Sequence, residues 1–189
     1  MNVLWRTLLV VWKARRRLRR EGPLAPHAVS RITLTTLLTD LDIVGHMNNG
    51  RYLSLFDLGR FDLLTRTGLW AILDANGWYS VIANATISFR KSLRFGQRFQ
   101  VESKVIAADD RAIYVMHRAV VDEEVYAELL VRARFLRRSG GVVPMSDLFA
   151  ALGANSEVFP EPEPWVHDWV SASSLPSTKA SAPSVWPDD

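Results

Sequence analysis

One stretch constrains the fold of this chain more than any other. From Asn48 to about Thr67 the apolar residues Tyr52, Leu55, Phe56, Leu58, Phe61, Leu63 and Leu64 recur at helical spacing and occupy most of the helix circumference. A helix with one apolar stripe can lie on a surface, but one that is apolar nearly all round has to be buried. It needs a cover, and the flanking sequence can provide it. "VSRITLTTLL" (29–38), rich in β-branched residues, reads as a strand before the helix. Four β-like runs follow at 79–91, 98–109, 111–122 and 125–138. Asp109–Asp110 and "DEE" separate the last three, which predicts tight antiparallel hairpins. In the final run Val125, Ala127, Leu129, Val131, Ala133 and Phe135 share one face, while Tyr126, Glu128, Leu130, Arg132, Arg134 and Leu136 take the other. That alternation belongs to a sheet with one dry face. The expected class is α+β, with a curved five-stranded antiparallel sheet wrapped around one long buried helix.

A length of 189 residues supports one domain with extensions. Residues 1–21 read as an amphipathic basic helix, 22–27 ("GPLAPH") as a linker, and 28–140 as the domain, including a short helical piece "LWAILDANG" that ends at Gly77. Residues 141–170 hold a short helix, opened by Pro144 and closed by Gly153, and a segment where Trp165 and Trp169 are positioned to dock. Six of the nine prolines fall after residue 159, and 171–189 reads as a disordered tail.

Charge is distributed unevenly. Residues 1–20 carry seven of the 23 Lys/Arg and none of the 20 Asp/Glu, which leaves 16 basic against 20 acidic residues, or −4, in the remainder. The domain is therefore a poor candidate for nucleic-acid binding. The chain has no cysteine, so a disulfide framework and a cysteine nucleophile are excluded, and a cytoplasmic setting fits. His27, His46, His117 and His167 lie too far apart for metal-ligand spacing, so neither a metal nor another cofactor is expected. No Gly-x-Ser-x-Gly elbow supports a serine triad.

The arm runs from apolar to basic, the reverse of a secretory signal. Its apolar part, Val3 to Trp12, would cover roughly 15 Å as a helix, about half a hydrocarbon core. Arg6, Lys13, Arg17 and Arg20 form one stripe, and Leu4, Trp5, Leu8, Val11 and Trp12 crowd the other side. Two readings stand: a helix at an anionic membrane surface, peripheral at the cytoplasmic face, or a helix packed on the domain or on a second subunit.

The polar stretch "DLDIVGHMNNGRY" (40–52) joins the first strand to the buried helix. It sets a carboxylate, Asp42, six residues before Asn48, where the helix begins, and the free N–H groups of a helix start are donors for developing negative charge. A carboxylate beside such donors can activate water or attack a carbonyl carbon while the donors hold the charge that develops. "DLDIVGHMNNGRYLSLFDLGRF" followed by "SFRKSLRFGQRFQVESKV" resembles the hotdog-fold acyl thioesterases of the 4-hydroxybenzoyl-CoA thioesterase type. The stretch is most similar to the thioesterase-superfamily-member-six group, whose members also carry an apolar–basic arm. The resemblance covers roughly residues 28–140.

That resemblance implies a hotdog fold and a homodimer, or dimer of dimers, whose sheets meet edge to edge with each site at the interface. It implies hydrolysis of an acyl-CoA or acyl-carrier thioester, an activity of lipid metabolism. Asp42 takes the position of the family's base or nucleophile, and His46 that of the residue orienting water or polarising substrate. Asn48 and Asn49 fall at the helix start that would shape the oxyanion site. One departure stands out: in similar plant acyl-carrier thioesterases an asparagine follows the aspartate by two residues, and here that residue is Val44. Val44 favours the rival reading, a non-catalytic, membrane-associated hotdog dimer that binds an acyl ligand or a partner. Four further residues are candidate substrate contacts. Arg60, inside an apolar helix, needs a charge partner or marks a pocket mouth. Arg90 and Arg94, with Lys91 and Arg98, form either a solvated basic rim or a contact for coenzyme A phosphates. Asn84 lies on the polar alternation of its strand, directed at the pocket. Asp40 reads as a turn or cap residue, Tyr52 as packing beneath the loop, and His117 as structural.

Overall fold

The computed structural model describes residues 2–153, 159–177 and 179–184. The chain runs α1 (Asn2–Glu21), β1 (Ser30–Thr35), α2 (Asn49–Arg66), α3 (Leu69–Ala75), β2 (Trp78–Phe89), β3 (Arg98–Ala108), β4 (Ile113–Val121), β5 (Glu124–Arg137), α4 (Met145–Leu152) and α5 (Pro164–Ser173). All five strands form one antiparallel sheet in the order β1-β3-β4-β5-β2. The sheet curls around α2, whose Leu55, Phe56, Leu58 and Leu63 are at most 2% exposed against Phe99, Val101, Val115, Val131 and Phe135 of the inner sheet face. This is the hotdog arrangement. Contact is closest at Gly59, where an added Cβ would sit 2.5 Å from Ser103 Oγ and 2.6 Å from Val101 Cγ1. The expected dry face of β5 is the buried one: Ala127, Leu129, Val131, Ala133 and Phe135.

Three elements differ from the sequence reading. The first strand stops at Thr35, and the chain tightens into a 3₁₀ turn at Leu38–Asp40 instead of staying extended to residue 38. In β2 the register shifts between Ile82 and Asn84, a bulge that reverses the inside–outside alternation beyond it. Finally, the segment expected only to dock forms a helix, α5, that runs to Ser173. Of the expected tail, 171–189, residues 178 and 185–189 lie outside the described residues. Helix α5 lies on the outer sheet face, where Val166 packs with Ala107, Ala112 and Tyr114. Trp169 docks as expected, its indole N–H donating to Thr86 Oγ1 at 2.8 Å. Trp165 does not dock; it is 45% exposed and donates to Glu163.

His117 is structural, as expected. It is buried in β4 with Nδ1 2.7 Å from Ser103 Oγ and its ring stacked on Phe56 at 5.9 Å. Burial, with a smaller contribution from the Arg60 charge, depresses its pKa to about 3. The folded protein keeps this imidazole neutral, while the unfolded chain binds a proton below about pH 6.5. Unfolded chain then holds more protons than folded, so stability rises with pH and is lost as pH falls through that window. Between pH 6.5 and 5, above the ordinary carboxylate range, urea denaturation should show stability falling by up to about 1.4 kcal/mol per pH unit from this residue. His117→Gln should flatten that slope; an unchanged slope would mean that His117 protonates in the fold.

Candidate active site

The segment between β1 and α2 is built from main-chain bonds. Thr36 N–H donates to Gln97 O at 3.0 Å and Gly96 N–H to Thr36 O at 2.9 Å, tying the end of β1 to the β2–β3 connection. The chain then turns at Leu38–Asp40. Asp40 is not the simple turn residue expected from the sequence. It is 0% exposed, with Arg6 Nη1 of α1 2.6 Å from one oxygen and Arg51 Nη2 of α2 2.9 Å from the other. Leu37 N–H adds a third bond at 3.0 Å. Burial alone would raise its pKa, but the Leu37 amide and the two guanidinium groups outweigh it and hold the carboxyl below its ordinary value. Arg6 also donates to Thr35 O, so α1 is clamped to the root of the loop.

From Leu41 to Met47 the chain forms a miniature hairpin. Leu41 bridges Met47, and Asp42 N–H donates to His46 O at 2.8 Å. Gly45, at φ +82°, closes the turn and donates to Asp42 O at 3.1 Å. The Asp42 side chain lies inside this turn: Oδ1 accepts from Val44 N–H at 2.9 Å and His46 N–H at 3.3 Å. One carboxylate oxygen is therefore locked by the loop's own amides. The loop is pinned in turn by Met47 N–H on Leu93 O (2.8 Å) and Asn48 N–H on Asp40 O (2.9 Å). Asn48 is the N-cap of α2, its side-chain oxygen accepting from Gly50 N–H at 2.9 Å, and Asn49 is the first helical residue. Tyr52, expected as packing, also carries hydrogen bonds. It lies against Phe89, and its hydroxyl accepts from Leu93 N–H at 3.2 Å and donates to Lys91 O at 3.5 Å, which holds the segment opposite the loop.

Asp42, His46, Asn48 and Asn49 are thus brought together, and Arg94 joins them because His46 bridges it across the connection. The other three candidates lie elsewhere. Arg60 is eleven residues along α2 from Asn49, roughly 16 Å away. It pairs with Asp57 at 3.0 Å and lines a cleft of about 190 Å³ with Phe61, Trp70, Trp78, Tyr79 and Arg138. Arg90 is committed to an exposed ion pair with Glu124 at 2.7 Å. Asn84 needs correction as a pocket residue. Past the bulge it faces outward under α5, where its amide donates to Ser173 O at 2.9 Å.

Chemically, the loop offers a partly buried carboxylate of fixed orientation beside the positive end of an eighteen-residue helix. Such a group can accept a proton from water or attack a carbonyl carbon; at the helix start the Asn48 side chain takes the Gly50 N–H and the Asn48 carbonyl takes the Arg51 N–H.

Comparison with known proteins identifies the family. The profile of the thioesterase-like superfamily matches residues 36–170. Protein THEM6 of Xenopus laevis is 38% identical over 143 residues, covering 75% of this chain and 68% of that protein. Among solved structures, the YbaW probable thioesterase of Escherichia coli superposes with a TM-score of 0.61 at 17% identity, covering 65% of this chain and 95% of that one. The DHNA-CoA thioesterase of Staphylococcus aureus gives 0.60 at 14% identity, covering 76% and 91%. At such identities these two structures speak to the fold alone.

Proposed function

The chain belongs to the thioesterase-like superfamily, and from that premise we propose that it hydrolyses an acyl-CoA or acyl-carrier thioester with Asp42 as the reacting carboxylate. The observation that carries the reading is the Asp42 carboxylate, held by Val44 and His46 N–H next to the start of α2. In the proposed reaction Asp42 takes a proton from water as the water oxygen bonds to the thioester carbon. Negative charge passes to the carbonyl oxygen, where the Asn49 N–H and the helix dipole stabilise it. Collapse breaks the C–S bond, and the proton held by Asp42 goes to the leaving thiolate. His46 assists by orienting water or polarising the carbonyl.

We propose further that the site is completed by a second copy. Strand β2 is a twelve-residue edge with Tyr79, Ile82 and Phe89 exposed, the kind of edge that pairs with another strand. Early α2 meets the end of β2 (Tyr52 with Phe89), and late α2 shares a cleft with its start (Arg60 and Phe61 with Trp78), so the two run in opposite directions. Antiparallel pairing of two β2 edges would then bring the partner subunit's copy of the Asp42 loop toward the cleft lined by Arg60. In that arrangement Arg60, remote within one chain, becomes a substrate contact.

Thiol release from a panel of acyl-CoAs by the purified protein tests the proposal, together with its sedimentation as a dimer. The rival is a non-catalytic dimer that binds an acyl ligand or a partner; what favours it is the exposed apolar tip, Ile43 and Val44, at 105% and 70%. Calorimetric binding of acyl-CoA with no thiol release across chain lengths would select the rival.

A further inference from the structure

Helix α1 has two faces with different tasks. Its inner face is occupied: Val10 and Ala14 are 7% and 0% exposed, Arg6 holds Asp40, and Glu21 pairs with Arg66 at 3.0 Å. The basic stripe read from the sequence does not face outward as a unit, because Arg6 turns inward and Arg17 donates to Arg31 O of β1. The outward face is instead divided along its length. Its first half exposes Leu4, Trp5, Leu8, Leu9 and Trp12, each 53% exposed or more. Its second half exposes Lys13, Arg15, Arg16, Arg19 and Arg20, with the Arg16 guanidinium 5.8 Å over the Trp12 ring. Five large apolar side chains on one helix face are more than scattered surface exposure, and a soluble monomer rarely leaves such a patch uncovered.

We propose that this outer face docks the protein on an anionic phospholipid surface, the apolar half entering the interface and the basic half resting on the headgroups. The charge pattern selects this occupant. Residues 1–20 contain no acidic side chain, so nothing on this face repels an anionic surface. A second copy is a poor match: parallel pairing sets basic halves together, and antiparallel pairing sets each basic half against an apolar one. Spanning is excluded as well, since among the described residues no helix is long and apolar enough to cross a membrane. Indole rings favour the boundary between headgroup and chain, and two tryptophans stand in the apolar half. Because the inner face is clamped through Arg6, docking holds the whole domain and not a loose tether. The proposal does not depend on catalysis.

The test is flotation of the full-length protein with phosphatidylcholine vesicles, with and without phosphatidylserine. Binding is expected with phosphatidylserine and should weaken as salt rises. Arg15→Glu/Arg16→Glu/Arg19→Glu should weaken partitioning at least about 100-fold, at roughly fivefold per charge removed. Trp5→Ser/Leu8→Ser/Trp12→Ser should abolish it. All these side chains are exposed, so both variants should melt at the wild-type temperature, which separates lost docking from lost folding. No flotation with either vesicle, or equal flotation of the variants, would overturn the proposal. So would self-association in solution that disappears in the Trp5/Leu8/Trp12 variant, since that would make a second copy the occupant.

Discussion

Asp40→Asn is expected to lower the stability of the fold by about 3 kcal/mol or more, in the range for removing one partner of a buried ion pair. Asp40 is completely enclosed, while the side chains of Arg6 and Arg51 retain 11% and 26% exposure. The isosteric amide keeps the shape but leaves two guanidinium groups facing each other with no counter-charge. The partial exposure of the arginines places the expected loss toward the lower end of the range. Arg6→Met should cost less, because Asp40 keeps Arg51 and the Leu37 amide. Urea denaturation of the two variants at neutral pH measures both. A loss below about 1 kcal/mol for Asp40→Asn would mean that the triad adds nothing beyond its packing. The pH dependence has a definite sign. The carboxyl is held below its ordinary value, so its contribution is fully present above about pH 4 and disappears as pH falls through the depressed value. That window lies below the one assigned to His117.

The clamp also shows what a single sequence conceals. Arg6 and Arg51 meet Asp40 from positions 34 and 11 residues away, with no spacing that marks the pairing. Arg6 is the one charge inside the apolar part of the arm, but its helical spacing grouped it with Lys13, Arg17 and Arg20 in a basic stripe and not with Asp40. The architecture was far more legible. A helix apolar on nearly all sides admits few covers, and five of the six residues that the alternation in β5 assigned to the dry face are buried. The error at Asn84 has a local cause: one extra residue in β2 shifts the alternation, and no glycine or proline marks the place. Helix α5 was missed although Val166, Trp169 and Val170 recur at helical spacing behind a proline start, because the surrounding prolines suggested disorder. Val44 is the most instructive case. As a side chain it removes a polar partner of Asp42, yet its main-chain N–H donates to that carboxylate, a contact open to any residue except proline at that position.

The same contact makes Asp42→Asn a clean test of chemistry. Asparagine retains an oxygen that can accept from the Val44 and His46 amides, so the turn should persist while the negative charge is lost. Melting temperature should hardly move, since the group is near the surface and its structural bonds survive. Hydrolysis should fall at least ~100-fold, the lower end expected when general-base help is removed. Asp42→Ala, which removes the acceptor too, should lose both activity and loop order. The most direct measurement is therefore thiol release from a panel of acyl-CoAs by wild type and Asp42→Asn, at matched stability. The account predicts turnover by the wild type and a loss of about 100-fold or more in the variant. Equal rates in the two proteins would contradict it and leave Asp42 as a loop-structuring residue only.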